Sequence, residues 1–174
     1  MNFFEHVAVA FSMVLSFGVV RLLDGLRPAL VPGRRYWVHA LWLVQKLLNH
    51  AFYWWGFLSF REGVAWTVAS FLWLLLVPSL LFLQATALVT TNPSAVDSWR
   101  DHFFGIRSWF FSVDVILILH SVTTSSFLRG VPLVHPLRAL QTVGLTISIL
   151  GAASAALASM RRSPLRRLLF SRSV

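Results

Sequence analysis

Four ionisable side chains, Lys46, His50, Asp114 and His120, lie well inside apolar stretches of this chain. A charged group near the centre of a hydrocarbon layer costs at least ~2.5 kcal/mol on insertion scales, so each one asks for a partner or a task. Lys46 and His50 are four residues apart, which puts them one turn apart on one helix face, with Gln45 and Asn49 beside them. Asp114 and His120 share a second apolar stretch. Measured from the stretch midpoints, Lys46 and Asp114 differ in depth by only ~3 Å, and the two imidazoles lie at matching depth. Six residues turn a helix by about 240°, so Asp114 and His120 cannot both face one neighbour. Either Asp114 meets Lys46, or His120 meets His50.

These residue types support three chemistries. Lys46, His50, Asp114 and His120, with Ser121, Thr123, Thr124 and Ser125 nearby, form a set that relays protons or coordinates a permeating ion. The same Lys–Asp pair can instead serve as interhelical glue in a non-catalytic subunit or scaffold of a larger complex. The third is a b-type haem electron carrier with His50 and His120 as axial ligands, a reading that Lys46 one turn from His50 disfavours. Proton or small-ion passage is the reading the residues favour, and no cofactor is required by it.

Other chemistries find no residues. There is no Cys, which removes disulfides, thiolate metal sites and thiol nucleophiles. Six acidic residues and no Gly-rich phosphate loop, nucleophile elbow or HExxH spacing leave neither a catalytic residue nor a metal site to name. Glu5 and His6 read as an ordinary helix start, and His39, His102 and His135 as interfacial, solvated imidazoles. The net charge of +9 sits in short clusters between apolar runs, the pattern of a membrane topology signal rather than a nucleic-acid footprint.

The elements that must position these residues are membrane helices. With 57% hydrophobic residues, 14% aromatic residues, 12% charged residues and a mean hydropathy of +0.71, the composition is that of an integral membrane protein. A span needs roughly 20 apolar residues. Five segments meet that length: about Phe3 to Leu23, Tyr36 to Phe60, Val64 to Val89, Ser108 to Leu128 and Val134 to Met160. The fold class is therefore an all-α integral membrane protein, a bundle of about five transmembrane helices. Residues 1–160 form a single transmembrane helical domain and residues 161–174 a basic amphipathic cytoplasmic tail. Between the third and fourth spans, TTNPSAVDSWRDHFFGIR reads as a short interfacial helix with Ser94 and Asp97 as a capping box.

Orientation follows from arginine placement. With the N-terminus outside, Arg21, Arg27, Arg34, Arg35, Arg100, Arg107, Arg161, Arg162, Arg166, Arg167 and Arg172 fall inside, against Arg61, Arg129 and Arg138 outside. That bias gives N-out/C-in. The first apolar stretch lacks a basic start and carries Glu5, so it reads as a retained span rather than a signal peptide. Arginine-rich composition, with Lys46 the only lysine, fits GC-rich coding and a multi-pass protein of a bacterial inner (plasma) membrane. Gly144, Ser148, Gly151, Ala155 and Ala158 line one side of the fifth segment as a helix-packing or oligomer seam, which points to a homo-oligomer or a membrane-complex subunit. In the tail, Arg161, Arg162, Arg166 and Arg167 beside Leu165, Leu168 and Leu169 are suited to anionic membrane lipids.

Overall fold

The computed structural model describes residues 3–61, 66–127, 146 and 150. Apart from residues 146 and 150, the fifth segment lies outside them, as do its small-residue seam (Gly144, Ser148, Gly151, Ala155, Ala158) and the tail arginines (Arg161, Arg162, Arg166, Arg167). The described chain is all-helical: α1 (Phe3–Ala29), α2 (Trp37–Leu58), α3 (Val68–Leu88), a 3-10 turn (Pro93–Ala95) and α4 (Trp99–Phe127). Among these, α1, α3 and α4 are long and apolar enough to cross a membrane. The 22 residues of α2 carry His39, Gln45, Lys46, Asn49 and His50 along with their apolar positions.

Burial runs opposite to that of a water-soluble protein. Val9, Met13, Phe17 and Val20 on α1 and Leu41, Leu48, Phe52 and Trp55 on α2 are exposed, while Lys46, Gln84, His50 and Asp114 are buried. An apolar exterior around a polar interior is the arrangement lipid favours, since hydrocarbon solvates the outer side chains and leaves polar groups to one another.

α1 forms as a helix with one continuous buried stripe: Phe4, Val7, Phe11, Leu15, Gly18, Leu22, Gly25 and Ala29, at spacings of three and four. It packs chiefly on α3 and then on α2, while α4 packs on α3 and touches α2 at few points. Thr67 starts α3 with a reciprocal cap. Its Oγ1 accepts from the Ser70 N–H at 3.1 Å, and its own N–H donates to Ser70 Oγ at 2.8 Å.

The buried apolar residues fall into two clusters. One holds Phe4 to Leu15 of α1 with Phe57, Leu74, Val77, Leu81, Val113 and Leu117. The other holds Leu22 and Ala29 with Leu43, Ala85, Leu88, Val89, Trp99, Phe103 and Phe110. On three helices a small or polar buried residue falls between them, Gly18 on α1, Lys46 and His50 on α2 and Gln84 on α3, and on α4 Asp114 follows just after the change from Phe111 to Val113.

The segment before the fourth span differs from expectation. The Trp99 and Phe103 stretch is not a separate interfacial helix but the first turns of α4, which continues unbroken to Phe127. Ser98 caps the start of α4: its Oγ accepts from the Asp101 N–H at 3.3 Å. Trp99 is buried because its indole Nε1–H donates to the Pro28 carbonyl at 3.0 Å, drawing this turn onto the end of α1.

Candidate functional site

Of the two pairings the six-residue spacing allowed, Lys46 with Asp114 is the one formed. Lys46 Nζ donates to Asp114 Oδ1 in a buried ion pair that ties α2 to α4. Gln84 of α3, which the sequence did not single out, completes the unit. Its Nε2 donates to the same Oδ1 at 3.0 Å and to the Phe110 carbonyl at 3.2 Å. Two donors on one carboxylate oxygen are charge-assisted hydrogen bonds, the strong kind where water is excluded. The Lys46 ammonium also lies 5.0 Å from the centre of the Phe110 ring and 5.9 Å from that of Trp42, so ring faces supply part of the solvation it has lost. Lys46 is fully buried and Asp114 is 8% exposed.

His50 sits one turn further along α2. A carbonyl can only accept, so the 2.7 Å contact between His50 Nδ1 and the Lys46 carbonyl places a proton on Nδ1. In the neutral ring this leaves Nε2 as a bare acceptor. Nε2 is buried, has no hydrogen-bond partner among the described residues, and points at Gly18, where a Cβ would collide with it. Gly18 is therefore the residue on α1 that admits the imidazole. Gln45 and Asn49 pair with each other through Nε2 and Oδ1 at 3.2 Å.

His120 is brought to a different place. Its Nε2 donates to the Trp73 carbonyl on α3 at 2.9 Å, and its ring stacks on the Trp73 indole with centroids 4.4 Å apart. Trp73 Nε1–H donates to Thr124 Oγ1 at 2.9 Å, and Thr124 lies 3.3 Å from His120 Nδ1. With Nε2 protonated, Nδ1 accepts from the Thr124 hydroxyl, and both ring nitrogens are used. His50 and His120 thus address α1 and α3 respectively.

The solvated reading of His39 is corrected. It is fully buried, stacked on Trp99 at 4.7 Å and set edge-on to His102 at 5.9 Å, because Trp99 folds inward and closes over it. His102 Nε2 donates to the Ala87 carbonyl at 3.1 Å. Glu5 and His6 are exposed at the start of α1, away from the cluster, and His135 lies outside the described residues. No group of three or more metal-ligating side chains occurs among the described residues.

What the arrangement can do chemically follows from its charge. A proton passing from Lys46 to Asp114 converts an ion pair into two neutral groups without creating a separated charge in low dielectric. His50 Nε2, on the same helix face as Lys46, offers a further lone pair. Comparison with models of known protein families, with curated proteins and with solved structures finds no match, so this chemistry is argued from geometry.

Proposed function

We propose that this chain is a small multi-pass protein of a bacterial inner membrane that supports proton or small-ion passage, with Lys46 and Asp114 as the exchanging pair. The observation that carries the reading is the buried Lys46–Asp114 ion pair itself. Replacing such a pair by packed apolar side chains is often neutral or stabilising, so stability alone is a weak reason for it. His50, one turn from Lys46 with a ring nitrogen that has no partner among the described residues, is the neighbouring proton acceptor. His120, whose nitrogens are both engaged, positions α4 against α3 and takes no proton in this scheme.

In the same reading the chain spans the bilayer five times, N-out and C-in, with residues 134–160 as the fifth span. Its small-residue seam joins a second copy, and the basic tail lies on anionic lipid. A second reading, a non-catalytic subunit whose polar residues only hold helices together, is favoured by Gln84, which bonds both Asp114 and the α4 backbone as a structural tie would.

Proteoliposomes holding the purified protein separate the two. Under a pH gradient or an applied potential, proton or potassium flux is expected in wild type and is expected to be lost in Asp114→Asn, with assembly retained. Absence of flux in wild type under both driving forces would sink the passage reading and leave the structural one.

A further inference from the structure

A pocket of about 410 Å³ opens at the end of the bundle where α1 finishes, lined by Arg27, Pro28, Val31, Arg34 and Pro93. Its walls come from three places in the chain, and Trp99 holds two of them together. The indole Nε1–H donates to the Pro28 carbonyl at 3.0 Å, and the Trp99 backbone N–H donates to the Arg34 carbonyl at 3.4 Å. Gly33, at φ 87°, turns the chain between Val31 and Arg34 so that both arginines edge one opening.

The lining combines two guanidinium groups with an aliphatic floor and contains no carboxylate. Guanidinium presents a planar fork of donors that matches phosphate oxygens, and it holds its charge at every physiological pH. Val31 of the lining and its neighbour Leu30 are exposed, as is Trp37 at the start of α2, an apolar apron at the junction of α1 and α2. A free phosphate would use only the arginines, whereas a phospholipid would use both the arginines and the apron.

We propose that this pocket binds the headgroup phosphate of an anionic phospholipid, held by Arg27 and Arg34, with the glycerol and first methylenes against Val31 and the prolines. The site uses none of the tail's residues and is independent of any ion passage through the Lys46–Asp114 pair.

The chain contains no cysteine, so a single engineered thiol reports on one place. Leu30→Cys and Val31→Cys would each be reacted with a neutral maleimide in nanodiscs of phosphatidylcholine alone or with phosphatidylglycerol added, with Ser59→Cys, past the far end of α2, as the reference. Phosphatidylglycerol is expected to slow labelling several-fold at Leu30→Cys and Val31→Cys but not at Ser59→Cys. In Arg27→Gln/Arg34→Gln that slowing is expected to disappear. Should that double variant not fold, Val31→Glu combined with Leu30→Cys sets a carboxylate in the pocket and should abolish the slowing in the same way. Equal labelling in the two lipids, or slowing that survives loss of both arginines, overturns the proposal. Inorganic phosphate in phosphatidylcholine nanodiscs that slows labelling equally well also overturns it, since the ligand would then be a free anion.

Discussion

Removing one partner of the Lys46–Asp114 pair and removing both should have opposite consequences. Asp114→Leu leaves the Lys46 ammonium at a fully buried position with only two aromatic faces and takes away the oxygen that Gln84 Nε2 bonds. Stranding one buried charge costs about 3–5 kcal/mol in soluble proteins, and insertion scales put a lone lysine at mid-bilayer at about 2.5–3.5 kcal/mol. The lost Gln84 bond adds roughly 1 kcal/mol. We therefore expect Asp114→Leu to destabilise by about 4–5 kcal/mol, and Lys46→Met, which strands the carboxylate but leaves it bonded to Gln84, by somewhat less. The double variant Lys46→Met/Asp114→Leu restores an apolar contact between Trp42, Phe110 and α4, and is expected within about 1 kcal/mol of wild type. The assay is a double-mutant cycle on reversible unfolding in mixed micelles, followed by helicity, and the expected coupling is several kcal/mol. If the double variant loses the sum of the two single losses, the two charges do not offset each other and the ion pair is not the unit described.

Two further perturbations test the packing around this pair. Gly18→Ala forces a methyl against His50 Nε2, and about 1–3 kcal/mol of overpacking outweighs the ~1 kcal/mol gain in helix propensity; in a His50→Ala background the sign should reverse, which thermal unfolding of the four proteins would show. Trp99→Phe keeps the ring stack on His39 but removes the donor to Pro28, and should cost about 1 kcal/mol and speed amide exchange at 28–35 before other regions change. Equal exchange rates there in the two proteins would count against the indole as the clasp of that end.

The pairing of Lys46 with Asp114 was legible because charges within apolar runs are rare, and depth along a helix can be counted from its ends. Gln84 was not, since an uncharged amide in the long apolar run of α3 carries no spacing signal, and only the fold reveals that it faces Asp114. The seams of small residues were sought in the fifth segment, where several fall together. The glycines that closely admit a neighbour's side chain in the described structure are Gly18 and Gly25, single residues seven apart with valine, arginine, leucine and aspartate between them. Trp99 read as a headgroup anchor because an aromatic beside Arg100 and Asp101 has that composition. Its indole instead found a carbonyl at the end of α1, a contact over 71 residues that local pattern does not encode. His120 was matched to His50 by depth alone, and the stacking surface of Trp73 took it elsewhere.

The position of α3 shows why buried polar residues matter more here than they would in water. Leu, Val, Phe and Trp surround this helix on nearly all sides, so in lipid its apolar surface gives little reason to prefer one rotation over another. Two polar residues remove that freedom. The Trp73 carbonyl and indole bond His120 and Thr124, and Gln84 bonds Asp114 and the Phe110 carbonyl. Residues 73 and 84 are 84 − 73 = 11 apart, almost a whole number of turns at 3.6 per turn, so both ties leave the same face of α3 about 16 Å from each other. Their partners on α4 run in the opposite order, 120 and 124 against 73 and 110 and 114 against 84, as an antiparallel pair requires. Two ties on one face fix both the rotation of α3 and its slide along α4. The Gln84 end of that clamp is also the end that meets Lys46, so α2 is docked onto a pair of helices whose register is already set.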